Sequence, residues 1–444
     1  MLACAPHPRT ITVLSENALI VLPYLQSCQN ATALAAARDA LAGEAAGSTS
    51  ADAASGGSGA GSTSADGADA ASSAADGDAV ATDPNAGLDE GFTNMLGFED
   101  QSSTWGFEPT ATLELPVGSV VRADCDDRAA VLQANDSARP LTVVGCLDLA
   151  RGSYQVVLDT PLAGEDFAPS ECHMTDRLIC WTETNNATDE WRLYGAPFDG
   201  SPLSATSDVT LLAQGDAEWL PPQVAVEDDL VVWQLMPDPS GSHVTEASHA
   251  YRWRVGRDEG VDIWDSNGRF ACAPAINEGV LTIAPRVDSS SGVSYGITSV
   301  DLQNNNAQLD QLVLPTSVKP FMVNTIDGAF AFSIEANYGY GGTLGSMGYY
   351  VGPSGGPYLA LSREPSAQIS FVNSMYVFRS QLSYFIVDPR GKRFTRLYAA
   401  DNSSDYGDYP ATSGTAAAFV TYALVRDEET RLPSSVLVRI YGLD

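Results

Sequence analysis

Leu230-Val231-Val232-Trp233-Gln234-Leu235 is the short apolar stretch from which the fold of this chain can be worked out. A polar loop from Met236 to Ser248 follows it, and two more strand-like stretches come next, Tyr251 to Val255 and Val261 to Trp264. Short apolar runs bounded by loops rich in Gly, Asn, Asp or Ser are typical of β-strands. The unit therefore predicts a small β-sheet.

The same unit recurs along the last three quarters of the chain. Its apolar landmarks are Leu132, Trp181, Trp233, Ile283, Phe332, Phe378 and Leu424, with spacings of 49, 52, 50, 49, 46 and 46 residues. This spacing is typical of one four-stranded blade, so seven copies predict an all-β fold, a seven-bladed β-propeller. The alternatives are a pair of β-sandwiches, an open array of sheets, or a ring of six or eight blades.

The last unit predicts how the ring closes. It begins at Leu424 and ends at Asp444, which leaves room for only three strands. The alternating stretch Thr110 to Leu115 precedes the first unit and can supply the fourth strand, since an unpaired strand edge invites aggregation. We expect the two ends of the repeat region to pair in one blade, with Leu113 and Leu437 in the same sheet.

Three predicted turns between third and fourth strands share an Asp with a Gly, Pro or Asn one to three residues after it. They are Pro197-Phe198-Asp199-Gly200, Val300-Asp301-Leu302-Gln303-Asn304 and Val387-Asp388-Pro389-Arg390-Gly391. These residue types favour tight hairpin turns. In this pattern, and in its repeat layout over roughly residues 105 to 444, the chain resembles extracytoplasmic propellers of the TolB type. The resemblance implies an extracytoplasmic, non-catalytic interaction platform and carries over no binding residue.

The composition limits the partners. A formal net charge of −33 and a sequence pI near 4.2 argue against nucleic acid, because phosphate binding needs clustered Lys and Arg. The only two lysines are Lys319 and Lys392. The acidic surplus favours solubility, a monomer, and cationic partners or divalent cations over acidic ones.

The N-terminal part predicts an anchor and a tether. Met1-Leu2-Ala3-Cys4 resembles the end of a bacterial lipoprotein signal, so we expect an N-terminal anchor segment over residues 1–32 with lipidation at Cys4, the only membrane contact. Residues 33–91 are dominated by Ala, Ser, Gly and Asp and predict a disordered linker. The propeller occupies residues 92–444. Its aromatic stretch from Phe92 to Phe107 either packs on the outside of the ring or binds a partner.

Seven cysteines fit an oxidising compartment. Cys172 and Cys180 lie across a predicted hairpin, and Cys125 and Cys146 fall within one unit, so both pairs are disulfide candidates; Cys125 with Cys172 is another. Buried free thiols of a cytosolic protein are the alternative. Connectivity cannot be read from the sequence.

Catalytic constellations are not apparent in the sequence. The four histidines, His7, His173, His243 and His249, are scattered; the last two share one long loop, where a shared metal and ordinary exposed histidines are the alternatives. Asp401, Asp405 and Asp408 form an oxygen-rich loop and a weak Ca²⁺ candidate, with a solvated turn as the alternative. We expect no cofactor and no other metal.

Binding is expected on the propeller face that carries the longest loops, Met236 to Ser248, Glu335 to Ser346 and Ala399 to Ser413. Their candidate ligand-binding residues are Tyr338, Tyr340, Tyr406, Tyr409 and His243, since Tyr combines a wide contact area with a polar tip. The predicted function is a membrane-anchored binding platform for a protein, peptide or glycan. The rivals are a polysaccharide-active extracellular enzyme with its site in the central funnel, and an assembly factor that uses the aromatic segment near Trp105.

Overall fold

The protein is described here by a computed structural model. The structure describes residues 10–13, 93–94, 97–101, 109–134, 141–203, 208–289, 292–314, 319–335, 347–356, 358–361, 369–379, 383–398, 409–410 and 418–442. All regular secondary structure in these ranges is β. A membrane-spanning helix does not occur among them. The strands form seven small sheets in a ring, which confirms the seven-bladed β-propeller.

Four strands precede the blades and the first three blades follow in chain order. The early strands are β1 (Thr10–Val13), β2 (Thr93–Asn94), β3 (Glu99–Asp100) and β4 (Ala111–Pro116). Blade 1 contains β5 (Val120–Arg122), β6 (Arg128–Ala134), β7 (Leu141–Asp148) and β8 (Ser153–Leu158). Blade 2 contains β9 (Ala168–Met174), β10 (Leu178–Asn185), β11 (Glu190–Pro197) and β12 (Thr210–Gly215). Blade 3 contains β13 (Gln223–Glu227), β14 (Leu230–Leu235), β15 (Ser248–Arg254) and β16 (Val261–Ser266).

The remaining four blades continue the pattern. Blade 4 contains β17 (Ala275–Asn277), β18 (Val280–Ile283), β19 (Arg286–Ser289), β20 (Gly292–Asp301) and β21 (Ala307–Val313). Blade 5 contains β22 (Lys319–Ile326), β23 (Ala329–Glu335), β24 (Met347–Gly352) and β25 (Leu359–Leu361). Blade 6 contains β26 (Ile369–Val372), β27 (Met375–Arg379), β28 (Ser383–Asp388) and β29 (Arg393–Tyr398). Blade 7 contains β30 (Tyr409–Pro410), β31 (Ala418–Arg426), β32 (Pro433–Gly442) and the early strand β4.

The ring is closed by the pairing that the sequence predicts. Strand β4 runs antiparallel to β32, with Glu114 opposite Leu437 and Leu113 opposite Val438. The last blade therefore takes its outermost strand from the beginning of the propeller. This arrangement covers one edge of the blade and joins the two ends of the repeat region.

An apolar cluster fills each of the seven seams between neighbouring blades. The seam between blades 1 and 2 holds Leu132 and Trp181, and the seam between blades 7 and 1 holds Val121 and Val436. All seven predicted landmarks lie on second strands and pack in a seam. Leu132 and Leu424 nevertheless face the following blade, whereas the other five face the preceding one. Successive strand residues point to opposite faces, so these two landmarks are one position out of phase.

The three described strands before β4 pair with the outer edges of blades. Strand β1 pairs in parallel with β21 of blade 4, β2 pairs with β25 of blade 5, and β3 pairs with β29 of blade 6. Phe98 is buried in the core of the seam between blades 5 and 6, as the packing interpretation of the aromatic stretch predicts. The sequence analysis expected residues 1–32 to be an anchor segment and did not predict that β1 would pair with the outer strand of a blade. Phe92, Trp105, Phe107 and the linker over residues 33–91 lie outside the described residues.

Candidate functional site

The strands of each blade run back and forth between the two faces of the ring, so the two faces carry different loops. The first strands of blades 2 to 6 contact one another and surround the central channel. Because strands alternate in direction, one face carries the loops between second and third strands and the links between blades. We call it the loop face. The opposite face carries the turns between first and second and between third and fourth strands, and we call it the turn face.

Most of the predicted binding residues lie outside the described ranges. Outside the described residues lie Cys4, Tyr338, Tyr340, Asp401, Asp405, Tyr406 and Asp408. Tyr409 is described only as backbone, in β30, the innermost strand of blade 7. The proposals of lipidation, Ca²⁺ binding and Tyr-mediated binding therefore stay predictions.

The described long loop of blade 3 is fixed to the link before that blade. Trp219 forms an isolated bridge with Pro237, and the Ser242 N–H donates to Glu218 Oε2 at 2.5 Å. His243, the predicted ligand residue, stacks on Trp219 with 5.6 Å between ring centroids, and its Nδ1 lies 2.6 Å from Glu246 Oε1. The hydrogen bond to Glu246 raises the pKa of His243. These contacts fix the conformation of the loop, and His243 does not line the pocket described next.

A pocket of about 590 Å³ opens on the loop face where blades 3, 4 and 5 meet. The link between blades 3 and 4 forms one wall, and the beginnings of the first strands of blades 3 and 5 form others. Its lining residues are Gln223, Met236, Arg269, Phe270, Ala271, Cys272, Ala273, Tyr295, Lys319, Phe321 and Met322. The sequence predicted binding on this face but not at this place.

The pocket is cationic in a strongly acidic protein. Arg269 and Lys319 line it, and none of its lining residues is Asp or Glu. Within the described part of the chain, neither cation forms an ion pair, and Arg269 Nε and Gln223 Oε1 are buried without a hydrogen-bond partner. A buried polar atom without a partner is costly, so a ligand that supplies one gains affinity. Arg269 Nε and the Lys319 ammonium need an acceptor such as a carboxylate, whereas Gln223 Oε1 is itself an acceptor and needs a donor.

Apolar side chains complete the pocket. Phe270 is buried beneath it, whereas Phe321 is 49% exposed at its rim and Tyr295 is half-buried. An exposed aromatic ring beside cations suits a ligand that combines a charge with an apolar group. Cys272 also lines the pocket, but burial raises the pKa of its thiol to about 12, so it is protonated at neutral pH and a poor nucleophile.

A second cavity of about 600 Å³ lies on the turn face between blades 1 and 2. It contains Asp127, Asp148 and Asp199 as well as Arg128 and Arg151. Asp148 and Asp199 are engaged by their own turns: the Arg151 N–H donates to Asp148 Oδ1 at 2.8 Å, and the Ser201 N–H donates to Asp199 Oδ1 at 2.9 Å. These carboxylates stabilise turns, which leaves them poorly placed to act as a catalytic pair.

A charged network lies beside the central channel between blades 1 and 2. His173 Nδ1 is 3.4 Å from Asp124 Oδ1 and His173 Nε2 is 3.0 Å from Glu171 Oε1. Arg122 contacts both carboxylates, at 3.4 Å and 3.0 Å. The side chains of His173 and Asp124 are each 1% exposed. The network thus joins the innermost strands of two blades through buried charge.

The network shifts the pKa of its members. Burial lowers the pKa of His173, and Arg122 lowers it further, but Asp124 and Glu171 raise it, with a rise as the net result. Burial raises the pKa of Glu171, but the neighbouring His173 and Arg122 outweigh it, so the pKa is lowered. A shifted His beside two carboxylates is the kind of group that acid–base catalysis uses. His173 is buried, unlike His243 beside Glu246 and Glu218, and sequence reasoning had dismissed it.

The described cysteines are free thiols, so the expected disulfides are not formed in this structure. Trp181 pairs with Cys172 while Cys180 pairs with His173, so the two cysteines are one register step apart and point to opposite faces of blade 2. Cys172 packs in the seam with blade 1, together with Cys146, and Cys180 packs in the seam with blade 3. The Cys125 thiol donates to the Arg128 carbonyl, and burial raises its pKa to about 12. Cysteine pairing therefore gives no support for an oxidising compartment.

No protein-family model and no curated protein matches this chain. Among solved structures, the chain is similar to the β-propeller domain of the Trilobed protease from Pyrococcus furiosus, with 7% identity over 75% of this chain and 98% of that one and a TM-score of 0.48. It is also similar to oligogalacturonate lyase from Vibrio parahaemolyticus, with 10% identity, coverage of 77% and 95% and a TM-score of 0.44. Puromycin hydrolase gives 12% identity, coverage of 77% and 54% and a TM-score of 0.43, so this chain spans about half its length. At such identities the likeness concerns the fold alone.

Proposed function

We propose that this protein is a non-catalytic binding platform of the cell envelope, anchored as a monomer through a lipid on Cys4, and that its loop-face pocket takes an acidic group of a protein, peptide or glycan. The supporting observation is the pair Arg269 and Lys319. In a chain of net charge −33 they line a pocket without an acidic residue and without an ion pair among the described residues. The same proposal includes that the platform is a propeller of the TolB type.

The large negative charge does not prevent an acidic ligand from binding in this pocket. At physiological ionic strength charges are screened over about 8 Å, so distant carboxylates contribute little to the potential there. Arg269 and Lys319 act at contact distance on any group that enters. The surrounding acidic surface instead discriminates against acidic molecules that do not fit the pocket.

The test is a pull-down from intact envelope with the full chain as bait. The Arg269→Gln/Lys319→Gln double variant removes both charges and keeps comparable side-chain lengths. Lys392→Gln, which removes the only other lysine, on the turn face, is the matched control. We expect the double variant to lose at least tenfold of the captured partner and the control to retain it. Equal capture by wild type and double variant would exclude this pocket as the binding site.

The anchoring part of the proposal has a separate test. Mass measurement of the native protein is expected to show an acylated Cys4 as the first residue. An unmodified chain that begins at Met1 would remove the anchor from the proposal and leave the pocket untouched.

One observation favours the enzymatic alternative, a polysaccharide-active site in the central funnel. The network of Asp124, Glu171 and His173 contains two carboxylates and a shifted imidazole beside the channel. Incubation of the full chain with acidic and neutral extracellular polysaccharides distinguishes the two functions. Cleavage that Glu171→Gln abolishes would support the enzyme, whereas an absence of cleavage by well-folded protein agrees with the binding platform.

A further inference from the structure

The outer edge of blade 3 brings one imidazole and two carboxylates together on the loop face. His249 lies near the beginning of β15, opposite Asp265 near the end of β16. His249 Nδ1 is 2.8 Å from Asp265 Oδ1 and 3.0 Å from Asp262 Oδ2, and the three ligand atoms all lie within 4.8 Å of one another. The His243–His249 pairing considered from the sequence is not the one that forms, since His243 contacts Glu246 and Trp219 instead.

A β-bulge creates this arrangement. Asp262 and Asp265 are three residues apart, which would place them on opposite faces of a regular strand. Ala250 pairs with Trp264 but Tyr251 pairs with Asp262, so Ile263 is an extra residue in β16. The extra residue returns Asp262 to the face that holds Asp265 and His249. Bulges that re-aim a side chain are frequent next to functional sites.

We propose that His249, Asp262 and Asp265 form a binding site for one divalent first-row transition ion, such as Zn²⁺. Metal–ligand bonds of about 2.1 Å place neighbouring ligand atoms about 3.0 Å apart in an octahedron and about 3.4 Å apart in the tetrahedron that Zn²⁺ prefers. The two distances from His249 Nδ1, 2.8 and 3.0 Å, are hydrogen-bond contacts in the metal-free site, so small side-chain shifts bring all three atoms to the spacing that one ion needs. One nitrogen and two carboxylate oxygens suit Zn²⁺, Co²⁺ or Mn²⁺ better than Ca²⁺, which takes six to eight oxygens.

The charge at the site also favours a cation. Two carboxylates converge on a single imidazole, and no Lys or Arg among the described residues forms an ion pair with Asp262 or Asp265. All three side chains lie on paired strands, which hold ligand atoms more firmly than a loop does. Their exposure leaves the remaining coordination positions open to water. The site shares no residue with the loop-face pocket, so it does not depend on the proposed function.

The test is isothermal titration of untagged, full-length, metal-free protein with Zn²⁺, because added histidine tags would bind the ion. Asp262→Asn and Asp265→Asn keep the side-chain shape, and His249→Ala removes the nitrogen. The matched control is His243→Ala, an exposed histidine in the preceding loop of the same blade. We expect one Zn²⁺ equivalent in wild type and control, and more than tenfold weaker binding of that equivalent in each site variant.

Zn²⁺ binding to cysteine or histidine residues elsewhere in the chain does not affect the interpretation. The proposal concerns only the Zn²⁺ equivalent that is lost in the three site variants. The thermal midpoint of each variant without metal establishes that it is folded. In wild type, Zn²⁺ is expected to raise the midpoint, and in the folded variants this rise should disappear. Zn²⁺ binding that is unchanged in all three variants, or an absence of a Zn²⁺ equivalent in wild type, would overturn the proposal.

Discussion

The loop face and the turn face of this propeller use their cations differently. On the turn face Arg177 pairs with Asp228 at 3.2 Å, and Arg390 pairs with both Glu278 and Asp327. On the loop face Arg269 and Lys319 line a pocket and form no ion pair among the described residues. The ion pairs of the turn face hold neighbouring turns together, whereas Arg269 and Lys319 on the loop face are available to a ligand. Arg128 is an exception on the turn face, since it lines the second cavity and its Nη1 is buried without a hydrogen-bond partner.

This difference separates structural charge from charge that can serve binding. The guanidinium of a paired arginine already contacts a carboxylate of the protein in place of water, so a ligand would have to displace that carboxylate. An unpaired arginine with a buried nitrogen has lost its hydrogen bond to water without forming a new one in the protein. A ligand can supply the missing acceptor. Removing charge should therefore affect folding on the turn face and binding on the loop face.

The largest expected effect comes from Asp124, at the turn-face end of the seam between blades 1 and 2. Asp124→Ala removes the buried carboxylate that lies between His173 and Arg122 and accepts the Met174 N–H at 3.3 Å. Breaking a buried charged pair in this way costs about 3–5 kcal/mol of unfolding free energy. Urea denaturation measures it. The exposed neighbour Asp127→Ala is the control and should change stability by less than about 0.5 kcal/mol.

The pH dependence of stability tests the same network with a smaller effect. His173 has a raised pKa, so its contribution is fully present below its ordinary value of 6.5 and is lost as pH rises through the folded value. Glu171 has a lowered pKa, so its contribution is present above 4.5 and is lost as pH falls through the folded value. We expect the thermal midpoint of wild type to fall above neutral pH by more than that of His173→Asn. Parallel pH profiles for the two proteins would contradict this assignment.

The third prediction concerns the Asp that begins a turn between third and fourth strands. Asp301 Oδ1 accepts the N–H groups of Gln303 and Asn304 at 2.9 and 3.0 Å. Asp301→Ala removes both bonds from an otherwise intact turn, so we expect a loss of about 1 kcal/mol by urea denaturation. Asn304→Ala keeps the backbone donor and should cost clearly less. A loss as large as that of Asp301→Ala would show that the side chain of Asn304 matters instead.

The turns of the turn face could be predicted from the sequence because their features are local, whereas the ion pairs on that face, such as Arg390 with Glu278, join different blades and could not. An Asp in a tight turn bonds to backbone groups two or three residues away, as Asp199, Asp301 and Asp388 do. Periodic apolar positions likewise identified the second strands and the strand that closes the ring. Such signals lie within one repeat, and neighbouring residues are enough to reveal them.

The loop-face sites could not be predicted because they join residues that are distant in sequence. Gln223 and Lys319 begin the first strands of blades 3 and 5, Arg269 lies in the link between blades 3 and 4, and only the folded ring brings the three together. The rarity of lysine was the available signal for Lys319. Asp262 was missed for another reason, since the bulge at Ile263 changes the alternation on which sequence reasoning depends.

The smallest expected effect compares one cation from each face. Arg390→Gln breaks the contacts with Glu278 and Asp327, but its side chain is 38% exposed and solvent screens these pairs, so we expect a loss of about 0.5–1 kcal/mol. Arg269→Gln breaks no ion pair among the described residues, and its buried, unpartnered Nε is removed with it. The stability of Arg269→Gln should equal or slightly exceed that of wild type.

Urea denaturation of both variants at low and high salt measures the difference in stability, because added salt should reduce only the loss in Arg390→Gln. A larger loss for Arg269→Gln than for Arg390→Gln would mean that Arg269 holds the fold together, and the loop-face pocket would no longer have a cation free for a ligand.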